Sequence, residues 1–305
     1  MKSYFLKRVI YMLITMFVIA SATFFLMKLM PGSPLSLDAK LTAEQEAKIL
    51  EKYNLDDPVP IQYVNYLMNL AKGDLGLSFQ FDGRSVTGMI MDRIGPSAYL
   101  GLQSMIVGSL LGIILGAFSA IKHNTIWDYS STLISVIGIS IPSFVFAALL
   151  QYYVGVKLQW LPVAFWEGFE YTIMPTISLA IFPMAIAARF MRTELLEVFG
   201  QEYMMTAKAK GLSQFKVVVL HGIRNALIPI ITILGPMTIG IMTGTLVIER
   251  IFSVPGLGEQ FIRSIMTNDY PVIMGTTIFY SVLFIFTIFI VDILYGLIDP
   301  RIRLD

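Results

Sequence analysis

The chain has 305 residues, of which 56% are apolar and only 14% are charged, with a net charge of +1 and no cysteine. Because an average soluble domain is about 25% charged, this composition excludes a single soluble domain, a disordered chain and a collagen-like chain. The small net charge provides no basic field for nucleic acid, and the lack of cysteine excludes disulfides, thiolate zinc sites and iron–sulfur clusters.

Six windows of the chain contain no Asp, Glu, Lys or Arg, so the charged residues are concentrated between them. A helix needs roughly 20 consecutive apolar residues to cross a bilayer core, whereas a β-barrel strand needs about 10 that alternate. The pattern therefore excludes a barrel. It predicts an all-α integral membrane protein with six transmembrane helices and a small helical extracellular insertion after the first span. The predicted spans are residues 9–30, 96–121, 129–154, 171–189, 227–248 and 271–296.

The N-terminal segment, residues 1–8, is basic and precedes the first apolar run, and a small-residue triplet at 20–22 resembles a signal-peptidase site. Because the apolar run continues past this triplet to Met27, we favour an uncleaved first span over a cleaved signal peptide. Lys and Arg residues in short loops mark the cytoplasmic side of a membrane. Their excess in 1–8, 190–226 and 297–305 predicts that both termini are cytoplasmic.

The predicted extracellular insertion, residues 31–95, contains start and stop signals for short helices. Thr42 with Gln45 forms a capping box at the start of the first helix. Pro60 suits the first turn of the second helix, and Gly73 suits its C-terminal cap. We therefore expect a small helical cap packed on the outer face of the membrane.

The insertion sequence also predicts a third short helix and an apolar face on the second helix. Ser85 is placed to cap a short helix near 86–94, which Gly95 and Pro96 would end. The second helix has one apolar face, as expected of a cap that packs on the membrane. This face carries Ile61, Val64, Leu67, Met68 and Ala71.

Small residues recur at a fixed spacing in the second span, where Gly108, Gly112 and Gly116 follow one another every four residues. This spacing lets helices approach closely in lipid, and we favour ordinary helix packing over a functional interpretation. The predicted fourth span is short and contains Pro175 and Pro183. Because each proline frees a backbone carbonyl, we expect this span to be kinked or tilted.

Charged residues beside the spans lie at span ends, as Lys28, Asp128 and Asp292 show. Because proton- and ion-coupled transporters place ionisable residues at mid-bilayer, this distribution disfavours an ion-driven carrier. The sequence contains no HExxH, GxSxG or Walker A motif, and His123 and His221 are predicted loop or helix-surface residues. We therefore predict no catalytic residue, no metal site and no cofactor bound by this chain. Any ATP-driven step requires a partner protein.

The predicted cytoplasmic loop 190–226 contains two helix-forming stretches separated by a glycine. The first begins at Glu202 and ends at Gly211, and Ser213 is placed to cap a second helix that extends to about Asn225. We expect a short rigid elbow that projects from the membrane, rather than a solvated basic linker. Its apolar edge would enter a groove of a partner protein. This edge consists of Tyr203, Ala207, Leu212 and Phe215.

Segments in and around this loop resemble a known family. The stretch Ala207–Ser213, followed by Arg224–Pro229, is similar to the coupling loop of binding-protein-dependent ABC importers. More narrowly, it resembles that of the B-type membrane subunit of oligopeptide and dipeptide permeases. Each segment alone is weakly specific, but their order and spacing over nearly the whole chain are strongly so. The other matching segments are Pro31–Pro34, Gly73–Ser78, Ile141–Phe144, Phe252–Gly258 and Asp292–Arg301.

The chain departs from the wider importer pattern, which is Glu-Ala-Ala, three residues and then Gly. Gly211 matches the glycine and Ala207 the second alanine, whereas Met205 stands at the glutamate and Thr206 at the first alanine. Arg224 stands where many importers have proline. These departures put in doubt any role carried over for a glutamate, but not the docking surface as a whole.

The resemblance implies a type I ABC importer permease fold and a transport role rather than an enzymatic one. It also implies a complex in the bacterial cytoplasmic (inner) membrane, in which a second homologous membrane subunit completes the translocation pathway. Two ATPase subunits use ATP and Mg²⁺, and an extracellular solute-binding protein delivers the substrate, an oligo- or dipeptide.

By the same resemblance, two groups of residues have expected contacts. The loop 190–226 would couple to the ATPase through Glu202, Tyr203, Ala207, Gly211, Leu212, Ser213, Arg224, Asn225 and Pro229. The extracellular loop 249–270 would form an outer gate or a binding-protein contact through Phe252, Pro255, Gly256 and Gly258.

Three alternatives remain open at this point. A permease of the same branch could import a nickel complex, which labelled uptake would distinguish from peptide import. The chain could instead be an ion-coupled secondary carrier, or a receptor-like or scaffold membrane protein without a transport role. Co-purification with ATPase subunits would separate an importer from both of these. The sequence does not identify the residues that line the substrate pathway.

Overall fold

The computed structural model describes residues 2–29, 55–81, 83–242 and 246–298, which form helices joined by turns and loops. By internal packing the chain divides into a terminal unit, residues 1–95 with 256–305, and a central unit, residues 96–255. Some predicted features lie outside the described part of the chain: the capping box Thr42–Gln45, the segment Pro31–Pro34, the side chain of Asp292 and residues 299–305.

Helices account for most of the described residues. In chain order they are α1 (Lys2–Leu29), α2 (Val59–Ala71), α3 (Val86–Ile121), α4 (Ile126–Ser140), α5 (Ser143–Leu150), α6 (Glu170–Phe199), α7 (Glu202–Ala209), α8 (Gln214–Lys216), α9 (Arg224–Met242), α10 (Leu246–Phe252), α11 (Leu257–Met266) and α12 (Tyr270–Ile298). A π-helical turn, Gln151–Lys157, follows α5, and a second one, Val217–Ile223, joins α8 to α9.

Apolar helices occupy most of the positions predicted to span the membrane. Three described helices are long and apolar enough to cross a bilayer: Lys7–Leu29 of α1, then α3 and α6. The number rises to five if each of two bent helix pairs counts as one span. The sixth predicted span, 271–296, falls within α12, whose described apolar stretch is Tyr270–Phe286.

The predicted third span, 129–154, is not one straight helix. It is broken between α4 and α5, whose pair is bent by 101°. The cause is local, because Pro142 follows Ile141 and a residue before proline avoids the α-helical region. Ile141 accordingly has an extended backbone, with φ −83° and ψ 121°.

Two predicted boundaries of the insertion have different outcomes. Pro60 lies in the first turn of α2 and Gly73 follows its C-terminus with φ +78°, as the sequence indicated. The stop expected at Gly95 and Pro96 is wrong, since α3 continues through both residues to Ile121. Packing of the first turns of α3 outweighs the proline, because Val86 is completely buried there. A proline inside a membrane helix is tolerated when neighbouring groups satisfy the freed carbonyl.

Two tyrosines of α2 pack on α1, on a different side of the helix from the predicted apolar face. Tyr66 stacks on Phe24 of α1 with ring centroids 5.5 Å apart, and Tyr63 lies 2.6 Å from the hydroxyl of Ser21. The predicted apolar face points away from this contact, so that Val64 and Met68 are about half exposed. In a membrane protein an apolar helix face need not meet protein, since lipid is equally apolar.

The loops predicted at 190–226 and 249–270 contain more helix than expected. α6 includes Pro175 and Pro183 and continues ten residues past the predicted span end at 189, to Phe199. The second loop contains most of α10 and the whole of α11. Leu257 of α11 packs with Val86 and Val272 in the core of the terminal unit.

A seam of glycines joins α3 to α6 in the central unit. A Cβ atom added at Gly108, Gly112 or Gly116 would lie 2.6, 2.4 or 2.3 Å from a backbone carbonyl oxygen of α6. These carbonyls belong to Ala180, Met184 and Ala188, which also recur every four residues. The predicted packing role of the glycines is therefore confirmed.

We predict that Gly112→Ala destabilises the protein. The added Cβ would lie 2.4 Å from the carbonyl oxygen of Met184 and 2.6 Å from the Cβ of Ala187, and neither atom belongs to a flexible side-chain end. Such overpacking costs about 1–3 kcal/mol. Thermal unfolding of the detergent-solubilised protein should show a lower midpoint.

Gly95→Ala in the same helix is the matched control, because its added Cβ would have no neighbour within 4 Å. Alanine in a helix interior is favoured over glycine by about 1 kcal/mol, so this variant should be as stable as the parent or more so. Equal midpoints for the two variants would show that the seam tolerates a methyl group.

Candidate functional site

The elbow, defined here as residues 202–225, has the predicted helix–glycine–helix structure. α7 ends at Ala209, and Gly211 follows with φ +80° before α8 begins at Gln214. This left-handed conformation is available to glycine at little cost. No atom would lie within 4 Å of a Cβ at Gly211, so the glycine is required by backbone conformation and not by crowding.

The interior of the elbow is a small apolar cluster. Met204, Ala207 and Val217 are buried, and Leu212 packs against them together with Val198 and Phe199 at the end of α6. Ala207 is only 6% exposed. The prediction that Ala207 enters a partner's groove is therefore wrong, because its side chain holds α7 against the turn that follows, whereas Leu212 is only partly buried and its contact with a partner stays a prediction.

The outer edge of the elbow carries exposed apolar side chains. Tyr203 is 42% exposed, Met205 65% and Phe215 75%, and the first and last of these were predicted at this edge. The other polar site residues of the elbow, Glu202, Ser213, Arg224 and Asn225, are also exposed. The elbow thus exposes large apolar side chains among polar ones, a composition that suits contact with another protein.

One side-chain hydrogen bond joins the two arms of the elbow, and a second holds its donor in place. The Asn225 side-chain amide donates to the Tyr203 hydroxyl at 3.3 Å and to the backbone carbonyl of His221 at 2.7 Å. Ser213 occupies the N-cap position of α8 without a capping hydrogen bond from its side chain. The Tyr203–Asn225 contact therefore supplements the apolar cluster in fixing the angle between the arms.

The elbow is anchored to the membrane helices through α6 and α9. Ala226 and Ile230 of α9 are buried in one cluster with Met191 and Leu195 of α6. The helical segments Gln214–Leu227 and Pro229–Met242 meet at a bend of 50°, so Pro229 begins the membrane side of the bend.

The predicted outer-loop residues are mostly buried. In the central unit Phe252 is 1% exposed and packs in an apolar cluster with Leu100 and Met174. In the terminal unit Gly256 precedes α11 and is buried, as is Gly258. Pro255 alone among the four is exposed. Pro255 is therefore accessible to another protein in this structure, whereas the other three residues are not.

A buried carboxylate joins the turn before α3 to the start of α12 in the terminal unit. Asp269 is completely buried and accepts hydrogen bonds from the Ser78 hydroxyl and, at 3.1 Å, from the backbone N–H of Phe79. Burial raises the pKa of the Asp269 carboxyl above its ordinary value, and these hydrogen bonds oppose the rise. Gly76 has φ +88° in the turn before Ser78, which explains a glycine in the Gly73–Ser78 segment.

A second buried carboxylate was missed as a site by sequence reasoning. Asp128 is 1% exposed and accepts two hydrogen bonds from Arg192 of α6, from Nε at 2.6 Å and from Nη2 at 2.9 Å. The Ser119 hydroxyl and the Asn124 backbone N–H also donate to it, and His123 Nδ1 lies 3.1 Å away. The charge at the start of α4 was visible in the sequence, but its partner lies 64 residues further along the chain.

No group of three or more His, Cys, Asp or Glu side chains is placed to hold a metal ion among the described residues. The remaining buried carboxylate of the central unit, Glu249, accepts a hydrogen bond from the Ser97 hydroxyl at 2.7 Å. The buried carboxylates Asp128, Glu249 and Asp269 bond to neighbouring helices and turns, whereas the elbow exposes large apolar side chains.

Two family models match the chain over most of its length. Residues 109–304 match the model of the binding-protein-dependent transport system inner membrane component, and residues 1–100 match the model of its N-terminal region. The chain therefore belongs to the family of inner membrane components of binding-protein-dependent transport systems. It is a multi-pass transport component and not an enzyme.

Curated relatives match over their full length. The dipeptide transport system permease protein DppB of Bacillus subtilis is 45% identical, covering 100% of this chain and 99% of that protein. DppB of Lactococcus lactis subsp. cremoris is 44% identical, with 100% of both chains covered. The oligopeptide transport system permease protein OppB of Haemophilus influenzae is 40% identical, covering 99% of this chain and 100% of that protein.

Solved structures of more distant transporters share the fold. A chain of the MetNI methionine ABC transporter, in an inward-facing conformation, matches with a TM-score of 0.56 at 15% identity, covering 70% of this chain and 97% of that one. A chain of an amino acid ABC transporter with histidines matches with a TM-score of 0.53 at 16% identity, covering 71% and 95%. The predicted permease fold is thereby confirmed.

We predict that Arg192→Met strongly destabilises the protein, because it leaves the buried Asp128 carboxylate without its charged partner. Removing one member of a buried ion pair costs about 3–5 kcal/mol. The double variant Arg192→Met with Asp128→Asn should recover part of this loss, since no buried charge then remains. Thermal or denaturant unfolding in detergent measures both effects.

Arg84→Met is the matched control for the loss of an ion-paired arginine. Arg84 pairs with Asp92 at 2.8 Å, but the two side chains are 60% and 63% exposed, and exposed pairs contribute about 0–1 kcal/mol. If Arg192→Met were no more destabilising than Arg84→Met, the Asp128 pair would have no structural role.

Proposed function

We propose that this chain is the B-type membrane subunit of an ATP-driven importer of oligo- or dipeptides, with both termini in the cytoplasm. The observation that carries the substrate class is the identity of 44–45% over the whole chain to two proteins named as dipeptide transport permeases. The elbow supports the ATP-driven part, because the sequence has no Walker A motif and the elbow offers a surface to a separate motor.

The complex requires partners of three kinds. A second homologous membrane subunit completes the pathway, two ATPase subunits hydrolyse ATP with Mg²⁺, and an extracellular solute-binding protein delivers the peptide. The elbow meets an ATPase through the exposed side chains of Tyr203, Met205 and Phe215. Large aromatic side chains of this kind frequently dominate the binding energy of an interface.

The elbow acts as a rigid lever between the ATPase and the membrane helices. Its arms are fixed to each other by the cluster around Ala207 and by the hydrogen bond from Asn225 to Tyr203. Its root is fixed to α6 through Ala226 and Ile230. A displacement of the exposed edge is therefore passed to α6 and α9 as one body, and not absorbed within a loop.

The outer face has a more limited role than the sequence indicated. Pro255 is the exposed residue available for contact with the binding protein. Phe252, Gly256 and Gly258 are packed inside their own units, where they fix the ends of α10 and α11. In this proposal these three act in the outer gate by holding the loop in shape.

The substrate is tested by uptake in a strain that lacks this gene and expresses it from a plasmid together with its partner subunits. We expect restored accumulation of a labelled dipeptide or oligopeptide, with no restored accumulation of labelled nickel. Co-purification of ATPase subunits with the chain distinguishes an importer from a secondary carrier or a scaffold. Restored nickel uptake without peptide uptake would overturn the peptide assignment.

We predict that Gly211→Val uncouples ATP hydrolysis from transport. A β-branched residue at φ +80° is strained by about 1–3 kcal/mol, which changes the angle between the arms of the elbow. Peptide uptake by the reconstituted complex should fall by roughly tenfold, while the chain remains in the membrane and the complex still hydrolyses ATP.

Gly200→Val is the matched control in the same loop. Gly200 has φ −79°, which other residues adopt freely, and its added Cβ would make only an ordinary contact of 3.4 Å. This variant should transport at the parental rate. Normal import by Gly211→Val would show that the elbow is not the lever.

A further inference from the structure

A cavity of about 280 Å³ lies between α3, α4 and α6 in the central unit. Both hydroxyl-bearing and apolar residues line it. The hydroxyl-bearing residues are Ser119, Ser131, Thr132, Ser135 and Thr193. The apolar ones are Val136, Ile139 and Ala188. Along α4 the lining changes from Ser131 and Thr132 near the start of the helix to Val136 and Ile139 further along, which suits a molecule with a polar end and an apolar end.

Two arginines of α6 also line the cavity, and they differ in their partners. Arg192 is neutralised by the Asp128 carboxylate, which it contacts with Nε and Nη2. Arg189, one turn earlier, is exposed, and its guanidinium has no hydrogen-bond or ion-pair partner among the described residues. The cavity wall therefore carries one uncompensated positive charge, which suits an anionic group.

The position of the cavity along the membrane normal follows from neighbouring side chains. At the start of α4, Trp127 is 58% exposed and Tyr129 62% exposed, and Trp127 contacts Phe118 of α3 edge to face at 6.0 Å. Exposed Trp and Tyr side chains beside a span mark the headgroup level of a bilayer. Ser119 and Arg192 line the cavity and donate hydrogen bonds to Asp128 in the first turn of α4, so this end of the cavity lies at the level of Trp127 and Tyr129.

We propose that this cavity binds the phosphate headgroup of an anionic membrane lipid, with Arg189 as its cationic partner. The hydroxyls of Thr132 and Ser131 donate to the phosphate oxygens, and the glycerol and the first acyl carbons lie against Val136 and Ile139. Basic pockets between membrane helices at headgroup level are suited to anionic lipids. A free phosphate would leave the apolar part of the cavity unfilled, so the lipid is the better fit.

The experiment compares variants of the assembled complex in nanodiscs of mixed phosphatidylglycerol and phosphatidylcholine, with native mass spectrometry of the lipids retained on release. Arg189→Gln removes the charge, and Thr132→Trp fills the exposed mouth without changing charge. Each should reduce retained phosphatidylglycerol by about fivefold. Lys122→Gln is the matched control, because Lys122 is an exposed cation at the same end of α3 that does not line the cavity.

Retention by Lys122→Gln at the parental level, with loss in both cavity variants, would support the site. An equal loss in Lys122→Gln would indicate diffuse attraction and overturn it, as would parental retention in Arg189→Gln. Equal retention of phosphatidylcholine would exclude a requirement for an anionic lipid. Displacement of the lipid by added inorganic phosphate would identify a general phosphate site instead, and would overturn the lipid assignment.

Discussion

The close approach of α3 and α6 is the constraint on which the central unit depends. Gly108, Gly112 and Gly116 bring the backbone of α3 within contact of three carbonyl groups of α6. In a membrane the hydrophobic effect does not drive helices together, because lipid is as apolar as their side chains. Close van der Waals packing at the seam supplies the association energy instead. Because the carbonyls recur with the same period as the glycines, the seam also fixes the rotation of α6 about its axis.

That fixed rotation determines what the far end of α6 can hold. Arg192 lies on the turn that follows the seam, and there it reaches Asp128 of α4. Leu195, one turn further, faces Ala226 and Ile230 of α9. Gly222 at the root of the elbow would place an added Cβ 3.0 Å from Leu195, so the elbow follows α6 closely. A single helix thus connects the membrane packing to the surface that a motor would push.

The features predicted correctly from sequence are those set by local backbone chemistry. Pro60 and Gly73 bound α2, and Gly211 bends the elbow, because proline and glycine restrict or free the backbone wherever they occur. The helix end predicted at Gly95 and Pro96 was wrong, because packing of α3 keeps the helix intact there. A prediction from local sequence takes no account of such packing. Proline and glycine therefore predict helix ends and bends reliably only where tertiary packing does not oppose them.

The features that were not predicted depend on whether a helix surface packs against the same chain, another protein or lipid. An apolar residue on a short helix predicts burial, but not whether its own chain or another protein buries it, and Ala207 turned out to be covered by its own chain. The apolar face of α2 differs from Ala207, because its own chain leaves it exposed. In a membrane protein, lipid covers such a face as well as protein does. The pairing of Asp128 with Arg192 links helices far apart in sequence, and no spacing rule reports it.

The buried Asp128 carboxylate of the central unit is poorly suited to carry protons. A proton carrier must release and regain its proton during each cycle, but Asp128 is held by a permanently charged guanidinium and further donors. Such a carboxylate stays ionised and paired, because separating it would leave two charges in a poorly solvating environment. It therefore fastens helices together and does not carry protons. In the proposed importer the energy enters at the elbow instead, which packs against Val198 and Phe199 at the end of α6.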